Sequence, residues 1–415
     1  MKLFDADKFS EIVQSITKNK TRSFLTAFGV FWGIFMLIAL IGGGNGLEFM
    51  LKKEIAGVET NSAFLFTNRT GEAYQGFQKG RRWQMKFSDV AVLKSQIPEI
   101  QDISAILFGN GDVVRGEHSE SFSVKGFTPE YLNINHSNVF MGRHINDMDI
   151  QENRKVCVIG EQVYESLFFR GEDPIGTYLR VNSIYYQVIG VCRPLSSGMN
   201  VGGDDKETIV LPMNVMRQTF HLGDVVHMIA FTTVRGYSVA DISSDVERII
   251  KQLHKISPTD KKALDVFDLE KQFKIFDNLF VGINILIWIV GLGTLLAGII
   301  GVSNIMMVTV NERTQEIGVR RALGAKPYQI IVQILSETAL LTSIAGILGI
   351  AFGVLVLQVV DTAMSGGGGE TGGFMAPFWT ALGAAVVLLF LSLLAGLAPA
   401  WRAMQIKAID ALREE

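Results

Sequence analysis

Four stretches of this 415-residue chain carry no charged side chain: residues 23–47, 278–311, 338–360 and 371–401, of 25, 34, 23 and 31 residues. A helix of about 20 apolar residues crosses the hydrocarbon core of a bilayer, so each stretch is long enough to span. Buried helices of soluble proteins rarely stay uncharged over such lengths. Hydrophobic residues make up 48% of the chain and charged residues 19%, which fits a membrane protein better than a wholly soluble one. The first stretch is too long for the h-region of a cleaved signal. Its end, IGGGNGL, lacks a small-x-small cleavage pattern, so it reads as an uncleaved anchor.

Orientation follows from Lys and Arg in the short flanks. Residues 1–22 hold five, residues 311–327 hold four (Arg313, Arg320, Arg321, Lys326), and the tail holds three. The loop DTAMSGGGGETGG holds none. The expected order is a cytoplasmic amphipathic helix (1–22), TM1 (23–47), an extracytoplasmic domain (48–277), TM2 (278–310), a cytoplasmic connector (311–327), TM3 (328–360), an outer Gly-rich loop (361–373), TM4 (374–401) and a cytoplasmic tail (402–415). Both termini are then cytoplasmic, with Phe9, Ile12, Val13 and Ile16 of the first segment facing membrane lipids.

The fold class is an α-helical membrane protein with four transmembrane helices and a large mixed α/β domain between the first two. VCVIG, YYQVIGV, TIVLP and HMIAFTTV read as strands, and SDVAVLKSQ, QVYESLF and SVADISSDVERIIKQLHK as helices. NRTGEAYQGFQKGRR reads as a mobile loop. Leu47, Leu51, Ile55 and Val58 continue one helical stripe beyond TM1, and Leu264, Phe267, Phe273, Phe276 and Phe280 form another before TM2. These predict stalk helices that project from the membrane. Cys157 and Cys192 lie in strand-like apolar runs, where small buried cysteines are the reading and a disulfide the alternative.

Catalytic signals are missing. No G-x-x-x-x-G-K-[ST] phosphate cradle and no G-x-S-x-G elbow occur, and the six histidines are scattered through residues 118–254 without ligand spacing. The chain reads as a non-enzyme that binds no metal or cofactor directly, and nucleic acid is not among its expected partners. Pumps and ion-coupled carriers place ionisable groups in mid-membrane. Here Glu337 stands out, read as a polar residue hydrogen-bonded within the bundle. Small residues provide packing faces instead: Gly29 and Gly33 in TM1, Ala297 and Gly301 in TM2, and Gly346, Gly349 and Gly353 in TM3.

In the connector, NERTQEIGVRRALGAKPYQI, Thr314, Ile317 and Arg321 share a helical stripe. Glu316 precedes Arg320 in the favourable i, i+4 order, and Gly324 with Pro327 ends the helix. Positive-inside anchoring alone would need the basic residues but not the Ile-Gly-x-x-x-Ala-x-Gly pattern. A short exposed helix of this kind suits docking into a partner's cleft. The residues assigned to it are Glu312, Arg313, Glu316, Ile317, Arg320, Arg321, Leu323 and Gly324.

At NERTQEIGVRRALGAK the sequence resembles the MacB/FtsX-like permease superfamily, which also includes the LolC and LolE lipoprotein-release subunits. It matches the connector E-R-x-x-E-I-G-x-x-x-A-x-G-A at Glu312, Arg313, Glu316, Ile317, Gly318, Ala322, Gly324 and Ala325. QILSETALLTSIAGILGIAFG is similar to the family's third span, and PAWRAMQIKAIDALR to its tail, with Ala408 where Pro is usual. KVCVIGEQVYESLF, DPIGTYLRVNSIYYQVIGV and IVLPMNVM resemble the MacB-type extracytoplasmic domain. The resemblance implies the permease of an ABC transporter, working as a homodimer and using ATP and Mg through a cytoplasmic ATPase. In MacB that ATPase is fused at the N-terminus; here the chain begins 22 residues before the first span, so a separate ATPase subunit is expected. Nucleotide-driven closure would be carried mechanically to the outer domain, for efflux with a periplasmic adaptor and an outer-membrane exit duct. The alternatives are lipoprotein release and FtsX-like signalling to a cell-wall hydrolase.

The topology predicts that cysteines introduced at 70–80 and 366–373 react with a membrane-impermeant reagent in intact cells. Those introduced at 314–326 should react only after permeabilisation, and labelling there from outside would overturn the topology.

Overall fold

Hydrocarbon offers no hydrogen-bond partner, so a chain that enters it closes its backbone bonds within each segment. The computed structural model describes residues 20–54, 57–195, 203–364 and 373–405. In chain order its helices are α1 (Lys20–Glu54), α2 (Phe87–Gln96), α3 (Tyr131–Ile134), α4 (Asp147–Gln151), α5 (Glu161–Leu167), α6 (Met213–Thr219), α7 (Val239–Leu253), α8 (Leu269–Glu312), α9 (Thr314–Ala322), α10 (Pro327–Met364) and α11 (Phe378–Gln405). Four of these, α1, α8, α10 and α11, are long and apolar enough to cross a membrane. The chain is a four-span helical membrane protein with a large mixed α/β domain between its first two spans. The expected amphipathic helix before Lys20, the core of the Gly-rich loop (365–372) and the tail beyond Gln405 lie outside the described residues.

The chain divides into two units, Met1–Leu51 with Asn278–Glu415, and Lys52–Asp277. In the first, small residues set the helix contacts. A Cβ added at Gly33 would sit 3.1 Å from the Thr294 carbonyl oxygen, and one at Gly298 2.9 Å from that of Gly29, so α1 and α8 touch backbone to backbone. Gly349 and Gly353 of α10 lie against Ile34 and Ile38 of α1, and Gly346 against Leu388 of α11. Polar side chains in α10 and α11 bond to their own helices: Thr338 Oγ1 donates to Ile334 O at 2.9 Å, Thr342 Oγ1 to Thr338 O at 2.8 Å and Ser392 Oγ to Leu389 O at 2.8 Å.

The second unit is built on β1 (Ser62–Thr67), β2 (Met85–Lys86), β3 (Ile100–Arg115), β4 (His118–Phe127), β5 (Ser137–Gly142), β6 (Val156–Gly160), β7 (Tyr178–Val181), β8 (Ile184–Pro194), β9 (Thr208–Pro212), β10 (Val225–Val226), β11 (Met228–Thr233) and β12 (Leu264–Asp268). Ten of them form one sheet in the order β12-β1-β11-β3-β4-β9-β6-β8-β5, with β7 pairing β3 and β8. One face packs Leu65, Leu107, Val124, Ile159 and Phe231 under Leu93 of α2, Val163 of α5, Met216 of α6 and Val246 of α7. The other packs Phe64, Ile106, Val158, Val210 and Ala230 against Tyr131 and Ile134 of α3. Cover on both faces explains why VCVIG and TIVLP are buried at every position rather than at alternate ones.

Three expectations change here. LDVFD is a strand, not the start of a helix, because Leu264 and Val266 turn to one face of the sheet and Phe267 to the other. The segment 68–86 is tied down: Gly71 and Glu72 amides donate to Asp260 Oδ2 at 2.7 and 3.2 Å, Arg81 Nη2 to His254 O at 2.6 Å, and Trp83 Nε1 to Ala263 O at 3.1 Å. Those partners lie more than 170 residues away in sequence, beyond the reach of local composition. The helix of the third span runs on to Met364, past the expected boundary at residue 360.

The cysteines are both free and buried. Cys157 pairs with Val188 on β8, four residues from Cys192, which is about 13 Å along a strand. They also face opposite sides of the sheet.

Asp149 is fully covered and accepts from Arg143 Nη1 at 2.6 Å and Nη2 at 3.1 Å, with Arg154 Nη1 at 3.5 Å. Burial pushes its carboxyl up, but the bonds from Arg143 and the Asn146 amide, with the two guanidinium charges, outweigh that and hold it below the usual carboxylate range. Its stabilising effect is therefore full above the ordinary Asp range and fades as pH falls through the folded value. Asp149→Asn should cost about 1–2 kcal/mol at pH 7 and progressively less below about pH 4. Hydrogen exchange of β6 and β9 amides in the full chain, at both pH values, checks this.

Candidate coupling interface

Helical bonding in α8 continues to Arg313, whose amide donates to Thr309 O at 3.1 Å and Val310 O at 3.3 Å. Arg313 then leaves helical geometry (φ −101°, ψ 15°), and its carbonyl accepts from Ile317 N at 3.0 Å, the opening bond of α9. Thr314 Oγ1 donates back to Asn311 O at 2.7 Å, offering the backbone an alternative to straight helix at the bend. One residue thus closes the second span and begins the connector.

The far end is capped just as locally. Gly324 has φ +97°, Ala325 N donates to Arg320 O at 3.0 Å, and Gly324 N donates to Arg321 O at 3.1 Å. This is the paired bonding of a Schellman stop, which requires a left-handed residue at the glycine. Lys326 N then donates to Gln329 Oε1 at 3.0 Å, and Pro327 opens α10, where its missing N–H costs nothing.

Between these stops α9 presents two faces. Ile317 and Gly318 are buried, Ile317 in the cluster of Val310, Ile330, Ile334, Ala400 and Ala403. Leu323 is 83% exposed and Val319 42%, beside exposed Glu312 and Glu316. The expected docking set therefore divides. Ile317 belongs to the bundle's core because its stripe faces inward, and Val319, absent from that set, is on the open side. The arginines also reach back into the bundle. Arg313 Nη1 donates to both Glu337 oxygens at 3.3 and 3.5 Å, Arg320 Nη1 to Gln333 Oε1 at 2.8 Å, and Arg321 Nη1 to Met404 O at 2.8 Å. The Arg320 bond to Gln333 is a tertiary contact with α10, which the i, i+4 spacing from Glu316 does not reveal.

Glu337 lies ten residues after Pro327, about 15 Å along α10, and is 7% exposed. Its partner, Arg313, sits 24 residues earlier, so periodicity could not reveal the pair. Ala297 and Gly301 border a groove of about 310 Å³ between α1 and α8, with Leu25, Phe28 and Trp32. A Cβ at Gly301 would meet no atom within 4 Å, so Gly298, not Gly301, makes the close approach in this chain. Among the described residues no group of three or more His, Cys, Asp and Glu could hold a metal ion.

Residues 23–249 match the family model of the MacB-like periplasmic core domain, and residues 288–408 that of the FtsX-like permease C-terminal. Over 413 residues the chain is 26% identical to the Macrolide export ATP-binding/permease protein MacB of Bdellovibrio bacteriovorus, across 97% of this chain and 61% of that one. It is 26% identical over 402 residues to the Pyoverdine export ATP-binding/permease protein PvdT of Pseudomonas entomophila, across 96% of this chain and 58% of that one. With the Uncharacterized ABC transporter permease YknZ of Bacillus subtilis it shares 25% over 406 residues, across 97% and 98% of the two chains. The chain spans about three fifths of the length of the two ATP-binding/permease relatives.

The Schellman stop predicts that Gly324→Ala weakens the end of α9 by about 1–2 kcal/mol through backbone strain alone, since a Cβ there meets no atom. Gly324→Asn, which tolerates the left-handed region, should cost less. Faster amide exchange at 320–325 in the alanine variant than in the asparagine variant is the expected result.

Proposed function

Because the chain belongs to the MacB-like permease family, with a MacB-like periplasmic core domain over 23–249 and an FtsX-like permease region over 288–408, we propose that it is the membrane subunit of an ABC transporter that exports substrate. It works as a dimer of two copies with a separate cytoplasmic ATPase. The termini and α9 lie on the cytoplasmic side, and residues 52–277 lie outside. ATP and Mg act through the ATPase, and α9 receives its stroke. A periplasmic adaptor and an outer-membrane duct complete the export route.

One observation carries this reading. α9 is a nine-residue helix closed by the Gly324 stop and anchored by three arginines, and it keeps Val319, Leu323, Glu312 and Glu316 exposed. A rigid helix with an apolar ridge flanked by carboxylates suits a cleft in a soluble partner. Export as the direction is supported by the names of the macrolide and pyoverdine relatives. A separate ATPase is supported by the likeness to the ABC transporter permease YknZ, which the chain matches over 98% of that protein's length.

A carboxylate introduced into an apolar contact must be desolvated without a partner, which weakens binding. Leu323→Asp and Val319→Asp should each reduce co-purification of the ATPase by about tenfold, equivalent to about 1.4 kcal/mol, without lowering expression in the membrane. Undiminished co-purification in both variants would remove α9 as the docking element.

A further inference from the structure

The bend at Arg313 brings three helices to one side chain. Its backbone ends α8 and begins α9, and its guanidinium reaches Glu337 on α10 at 3.3 Å. Seven residues on, Arg320 bonds Gln333, which is one turn before Glu337 on the same face of α10. The two ties run in opposite order along the helices, 313 to 337 and 320 to 333. Such an arrangement lays α9 alongside the opening turns of α10 and fixes both its ends.

The Arg313–Glu337 tie is also the more covered: the two side chains are 25% and 8% exposed. An ionised carboxylate on a membrane helix is costly, and an apolar residue of similar size would serve stability at least as well. What the pair adds is a fixed register between two helices. We infer that Arg313 and Glu337 are positioning residues that lock α9 to α10, so that a displacement of α9 moves the third span with it as one body. This deepens the coupling reading above and rests on it for the source of the displacement. The lock itself stands on geometry within the bundle.

The lock is tested without any ATPase. Spin labels on Gln315→Cys and Ser336→Cys, both exposed positions, are placed in the full chain in lipid nanodiscs, the native cysteines being buried. The expected result is one narrow distance in the otherwise native chain and in Arg313→Lys, which keeps the charge. In Glu337→Leu the distribution should be at least twice as broad. Glu337→Gln, equal in shape and neutral, should broaden it less, and serves if the leucine variant fails to insert. An unbroadened distance in both Glu337 variants overturns the lock.

A second readout addresses force transmission. In the ATPase complex retained on the full chain, Glu337→Leu should leave binding within twofold, because the Val319–Leu323 ridge is untouched. Stimulated turnover should fall at least tenfold at unchanged KM for ATP. Unchanged turnover overturns the transmitting role. Retained ATPase binding in both Leu323→Asp and Val319→Asp would instead refute the docking reading, and the spin-label distances would still judge the lock.

Discussion

Backbone groups in hydrocarbon can bond only within their own segment, and this constraint shapes everything around the connector. α8 and α10 run uninterrupted for 44 and 38 residues, so the chain reverses only where caps take over the loose amides and carbonyls. Arg313, Gly324 and Lys326 mark those places. The Gly324 stop closes the end of α9 locally, while Arg313, Arg320 and Arg321 tie the helix to Glu337, Gln333 and Met404. A helix held in this way can leave one face open.

The same constraint separates harmless polar residues from consequential ones. Thr338, Thr342 and Ser392 turn their hydroxyls onto carbonyls of their own helices and ask nothing of their neighbours. A glutamate cannot do that, since an ionised carboxylate only accepts. Glu337 therefore draws in a cation, and Arg313 is the one that the bend presents to it. Glycines make the surrounding geometry possible. Where Gly33 meets the backbone of Thr294, and where Gly349 and Gly353 meet Ile34 and Ile38, a larger side chain would push the helices apart.

In residues 52–277 the organising fact is a sheet covered on both faces. It places Cys157 and Cys192 on opposite sides and keeps their thiols from pairing. Burial also pushes the Cys192 thiol up to about 12, so it stays protonated and unreactive. At one end of this unit Asp260 gathers the amides of Gly71, Glu72 and Lys262, converting a glycine-rich stretch into a fixed strap.

The four spans, the α/β class of the intervening domain and the helix at 314–322 could all be read from the sequence. Each depends on local rules: unbroken apolar length, runs bounded by glycine or proline, and helix-stop chemistry at Gly324 and Pro327. The long hairpin of β3 and β4 could not, since its Gly, Asn and Asp positions hide the alternation. Nor could the strand at Leu264–Asp268, whose partner β1 lies some 200 residues earlier. The connector divides along the same line. Its existence and ends follow from neighbouring residues, but which face looks outward does not. Ile317 and Leu323 are both apolar and six positions apart, and only the packing of Val310, Ile330 and Ala403 decides that the first is buried and the second exposed. The Arg313–Glu337 pair was likewise beyond the sequence, because its geometry arises from a bend and two helices that meet only in the folded bundle.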